Sequence, residues 1–138
     1  MTALTADYDC PVTDGRFRSV PVAAGVVIYA GALVALNGAG TAEPGVTATG
    51  LVALGRAESR VDNSAGAAGA LNVLVRRGVF RWNNSAGADL ITQANIGAEA
   101  YIVDDNTVAL TNGGGARSAA GKIFDIDAQT GGVWIDMV

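Results

Sequence analysis

From Arg16 onward, polar and apolar positions alternate with a period of two. Arg16, Arg18 and Val20 fall on one side, and Phe17, Ser19 and Pro21 on the other. That is the pattern of a half-buried β-strand. Val26–Tyr29 and Leu33–Asn37 are apolar on both sides, as strands covered on two faces are, and Gly31 between them marks a kink or bulge. Leu51–Asp62 reads as one long strand, apolar in its first half and carrying Arg56, Glu58 and Arg60 on one face of its second. Leu71–Trp82 reads as another. Its phase slips at Arg76-Arg77-Gly78 and resumes with Phe80 and Trp82, which predicts a β-bulge at the glycine. A helical period surfaces only over Asp89–Ile96, where one short turn stopped by Gly97 is expected.

Turn chemistry separates these runs. Asn37-Gly38 predicts a type I′ hairpin, Asp105-Asn106 a second hairpin between Tyr101–Val103 and Thr107–Leu110, and Asn112–Gly115 a glycine loop. Asn63–Gly69 and Asn83–Ala88 are loops by composition. Lys122–Asp127 and Val133–Val138 form a closing hairpin. With Thr130-Gly131 as its turn, Ile126 faces Ile135 and Asp125 faces Asp136. Gly31–Leu36 and Gly97–Ile102 echo each other, each a glycine, a strand and a tight turn, a likeness that any two hairpins share. The fold expected is all-β, a small barrel or sandwich of short antiparallel hairpins.

Residues 1–15 show neither period and read as an extended N-terminal arm on a single β domain over 16–138, with Tyr8, Cys10 and Val12 alternating along it. Composition sharpens the picture. Half the chain is hydrophobic, yet only 6% is aromatic, and charged residues make up 16% against an average of about 25%. A surface so poor in charge suggests that a partner covers part of it. The net charge of −4 offers no field for nucleic acid. One cysteine allows no internal disulfide, the first residues carry no basic and apolar leader, and no apolar run approaches the ~20 residues of a membrane helix. These features point to folding in a cytoplasm, with no membrane partner.

Histidine is absent, which removes the commonest general base and metal ligand, and with one cysteine no zinc or iron–sulfur site is expected. No glycine motif followed by a helix suggests a nucleotide cofactor. Carboxylates are the remaining catalytic device. Asp125 with Asp136 could share a proton or a cation, and Asp104-Asp105-Asn106 could invite calcium, but solvated carboxylates and a polar turn account for them. No enzyme, cofactor or metal is expected. Arg76, Arg77 and Arg81 beside Trp82 are instead typical anchors of a protein interface.

The succession Val22–Val26, Ala30–Asn37, Gly50–Gly55, Val75–Phe80 and Ile96–Asp105 resembles the capsid cement, or head decoration, proteins of tailed bacteriophages. The resemblance is one of glycines and apolar positions, from about Pro21 to Asp105. It implies a virion protein on the capsid exterior, assembled in the host cytoplasm, that cements neighbouring major capsid subunits. Such proteins are commonly trimers with an arm that orders on the shell. The implied contact residues are Tyr8, Cys10 and Val12 of the arm with Arg76, Arg77, Arg81, Trp82 and Trp134. The competing expectation is a receptor- or carbohydrate-binding domain of a fibre or spike, with Trp82 and Trp134 as its aromatic platform.

Overall fold

The computed structural model describes residues 2–138. Twelve strands follow one another: β1 (Phe17–Pro21), β2 (Val27–Ile28), β3 (Leu33–Leu36), β4 (Ala42–Pro44), β5 (Val52–Ala57), β6 (Val61–Asp62), β7 (Asn72–Arg76), β8 (Val79–Trp82), β9 (Glu99–Ile102), β10 (Val108–Ala109), β11 (Ala119–Ile126) and β12 (Val133–Asp136). The only helical pieces among the described residues are 3-10 turns at Gly87–Asp89 and Gln93–Asn95. The strands form three antiparallel sheets, ordered β1-β7-β5-β3-β4, β10-β9-β11-β12-β8 and β2-β6. The outer strands of each five-stranded sheet meet only through one isolated parallel bridge, Val22 with Ala42 in the first and Asn83 with Thr107 in the second, so the all-β fold is of the sandwich kind and no regular ladder closes a barrel.

Two apolar cores follow from the alternation. Val20, Val34, Leu54, Val73 and Val75 project from one face of the first sheet and pack with Ile28 and Val61 of the small sheet. The second core gathers Trp82, Ile102, Val108, Ile123, Val133 and Ile135 from the second sheet, and Ile91 from the loop before β9. Strand β3 serves both. Val34 lies in the first core while Leu33 and Ala35, one step out of phase, lie in the second, and all three are fully buried. A strand buried on both faces needs the unbroken apolar run that this segment has. Hydrogen bonds tie the same seam. The Leu33 amide donates to Asp105 O at 2.8 Å, and the Ser118 hydroxyl donates to Ala48 O at 2.7 Å while accepting from the Leu51 amide at 3.0 Å.

The second sheet repeats the first strand by strand. Leu36 opposes Ala42 as Ile102 opposes Val108, and Val34 opposes Gly55 as Ala100 opposes Gly121. Both third strands slip by one residue at the same place, at Leu54 and at Ala120. The amide of Gly31 donates to Ala57 O, and that of Ala57 to Ala32 O. Gly97, Ile123 and Ala98 make the same two bonds. Outward from there, Arg56 pairs with Arg76 and Arg76 with Phe17, as Lys122 pairs with Asp136 and Asp136 with Val79. The cores correspond as well: Val20 to Trp82, Leu54 to Ala120, Ala57 to Ile123, Val73 to Val133 and Val75 to Ile135. The echo between Gly31–Leu36 and Gly97–Ile102 is therefore the visible part of a five-stranded unit folded twice.

Four local expectations change. The Asn37-Gly38 turn is not type I′. Among the described residues none but glycine has positive φ, and Gly40 at +81° takes that role while the Asn37 side chain accepts from the amides of Ala39 and Thr41. The Leu51–Asp62 run breaks after Ala57, and Val61–Asp62 joins the small sheet instead. The slip at Arg77-Gly78 is no bulge in a continuous strand but the crossing from the first sheet to the second. In the closing hairpin Phe124 is the extra residue of a bulge, so Asp125 opposes Trp134, and Asp136 opposes Lys122. The Asp127 side chain accepts from the Gln129 amide and the Gly131 amide donates to Asp127 O, which holds a wider loop than Thr130-Gly131 alone. Asp125 and Asp136 therefore do not face each other.

Candidate functional site

The crossing at Arg77-Gly78 places side chains of both units around one cleft of about 510 Å³. Arg56 of β5 and Arg76 of β7 stand on one side. Val79, Arg81 and Trp82 of β8 and Trp134 of β12 stand on the other, with Phe80 and Asn106 completing the wall. Alternation explains the set on β12 and β8, because Trp134 and Arg81 are directly opposed and face outward together.

The guanidinium groups differ in what they are bound to. Arg56 donates through Nε and Nη2 to Glu58, the latter at 2.7 Å, and its Cζ lies 4.9 Å from the centre of the Phe80 ring. Arg81 donates to Asp127 at 2.7 Å and lies 5.9 Å from the Trp134 ring. The Arg81 hydrogen bond, followed by the Gln129 amide, holds the Asp127 carboxyl below its ordinary pKa. Arg76 has no carboxylate within ion-pair distance among the described residues and lies 5.8 Å from the Phe17 ring. Trp82 is 3% exposed, and its indole N–H is buried without an acceptor. Its ring packs 6.1 Å from Phe80.

Four of the residues singled out by sequence thus converge: Arg76, Arg81, Trp82 and Trp134. Arg77 does not join them. It lies in the crossing itself, with Arg18, Val52 and Met137 on another surface. Tyr8, Cys10 and Val12 lie on the arm, which has no strand and is exposed at every position from 2 to 14. Trp82 is buried and Trp134 half-exposed, so the two do not form an open aromatic platform. Arg56, Phe80 and Asn106 escaped the sequence reading. Arg56 and Phe80 are visible as alternating strand positions, but nothing in one sequence says that separate hairpins meet.

The cleft touches an apolar strip. On β1 and β7 the outward Phe17 and Leu74 stand at diagonal positions of the pair, with Phe17 opposite Arg76, and the strip runs through Arg76 to Val79 and Trp134. These four apolar side chains are 37–49% exposed. Next to the cleft, Asp105 lines a smaller hollow with Tyr29 and Ala32. Burial, and then the charge of Asp104, push its carboxyl above its ordinary pKa. Among the described residues no three His, Cys, Asp or Glu side chains gather as a metal site needs, and no helix is long and apolar enough to cross a membrane. Comparison with protein-family models, with curated proteins and with solved structures finds no match.

Proposed function

We propose that the protein is a virion structural protein that binds the outer surface of an icosahedral phage capsid and cements neighbouring major capsid subunits, acting as a homo-oligomer, with a trimer favoured. The observation that carries this reading is the continuous strip Phe17–Leu74–Arg76–Val79–Trp134, set beside a free arm. Exposed apolar side chains in a connected strip with arginine and tryptophan are the material of a protein interface. The resemblance of the glycine and apolar pattern to capsid cement proteins names the partner. A two-core body with an exposed arm suits reinforcement, since several weak footprints in one symmetric oligomer add by multivalency.

The test is mechanical. DNA-filled heads assembled without the chain should release DNA on heating at a lower temperature than complete heads, and added purified protein should restore the difference. Restoration should fail with Leu74→Asp/Trp134→Asp, which places charge in the strip and leaves both cores intact. Heads indifferent to the protein would contradict the reading.

A further inference from the structure

Two features of the chain are not repeated when the unit folds a second time, and their charges are complementary. The first is the cleft. Where the first unit has Arg56 and Arg76, the second has Lys122 and Asp136, and Lys122 lies 3.8 Å from Glu99. Trp82 stands where the first unit has Val20, and Trp134 where it has Leu74. The repeated fold therefore does not itself call for a guanidinium at the Arg76 position, and the Trp82 indole, whose ring belongs to the second core, buries an N–H that has no acceptor. The second feature is the arm. Residues 2–15 contain Asp7, Asp9 and Asp14 and no basic residue, and among the described residues only Asp14 has an ion-pair partner, Arg16 at 3.7 Å. Asp7 and Asp9 flank Tyr8, which is 63% exposed.

We propose that the Asp7-Tyr8-Asp9 segment of one copy docks in the Arg76–Trp134 cleft of a second copy. The carboxylates meet the guanidinium that has no internal partner, and Tyr8 covers the exposed face of Trp134. The arm lies clear of its own cleft. It leaves the body at Phe17, beside Arg76, and the nine residues from there back to Tyr8 span at most roughly 30 Å when extended, enough to reach a neighbour packed alongside. One arm given and one accepted per copy is a heterologous contact, which closes into a ring when the rotation allows. The docked arm would share Arg76 and Trp134 with the strip assigned to the capsid, and association is therefore measured on the purified chain alone, where its failure is distinguishable from failure of the capsid reading.

Sedimentation velocity over a range of concentrations tests it. The native chain should associate, and less so as salt is raised. Arg76→Asp and the double variant Asp7→Arg/Asp9→Arg should each weaken association at least tenfold. Combining the three substitutions in one chain should recover it, because every reversed arm then meets a reversed cleft. Arg76→Asp installs the acid that the second unit already carries at the corresponding position, and unchanged circular dichroism checks the fold. A native chain that stays monomeric, variants that associate like the native chain, or a triple variant that fails to recover would each overturn the proposal.

Discussion

At the residue scale, the polar groups inside the protein show which interactions the fold depends on. Asn63 is 2% exposed, and its Nδ2 donates to Ala23 O at 2.9 Å and Ala67 O at 3.0 Å, closing the loop after β6 over the first core. Its sequence neighbours mark a loop, but nothing in them marks Asn63 as buried. Carboxylates titrate in two senses. The Asp62, Asp89 and Asp127 carboxyls are lowered chiefly by side-chain hydrogen bonds from Ser64, Thr111 and Arg81. Their contribution is present above the ordinary carboxylate pKa of about 3.9 and is lost as pH falls through their lowered values. Asp105 works the other way. Its raised pKa means that the charged form penalises the folded state at neutral pH, and the penalty is relieved as pH falls through the raised value toward the ordinary one. Asp105→Asn should therefore raise the thermal midpoint at pH 7, with an advantage that shrinks as the medium is acidified toward pH 4. The Leu33 hydrogen bond is to the Asp105 backbone and survives the change. Equal midpoints at both pH values would contradict the assignment.

At the element scale, the slips in each unit are built on glycine. Gly55 and Gly121 have φ of +141° and +152°, and a Cβ at either would collide with a backbone oxygen, that of Arg76 or of Asp136. Strained φ and a backbone clash together cost about 2–4 kcal/mol. Gly55→Ala and Gly121→Ala should both destabilise by that amount in denaturant titration. Gly97→Ala, which meets open space and suffers only its φ of +91°, should cost less. How legible these elements were follows from what fixes them. The strands and the Asp105-Asn106 turn were readable because alternation and turn chemistry are local. The closing register was not, because the Phe124 bulge removes one step and exchanges the faces. The Arg77-Gly78 crossing leaves the same trace as a bulge, a break in phase, and only long-range pairing tells them apart. The duplication was nearly invisible because the two units share register and glycines while their side chains differ, as Leu33 and Glu99 or Leu51 and Arg117 show.

At the scale of the whole molecule, β3 makes the two units one cooperative body. Its residues enter both cores, and Ser118 clamps the loop before β5 to the start of β11. Both tryptophans lie in the second unit, so they report on its unfolding. Val73→Ala, wholly within the first core, should cost about 2 kcal/mol. It should shift the tryptophan fluorescence and far-ultraviolet circular dichroism transitions together. A biphasic transition, with fluorescence left at the native midpoint, would show that the units unfold independently.

The proposed cementing role meets its most direct test in binding to expanded heads of the phage that the proposal takes to encode the chain. Purified protein, titrated onto such heads and recovered by sedimentation, should saturate at a fixed ratio to the major capsid protein and appear on the outer surface by cryo-electron microscopy. Protein that stays in the supernatant at every concentration, with the heads bare, would contradict the account.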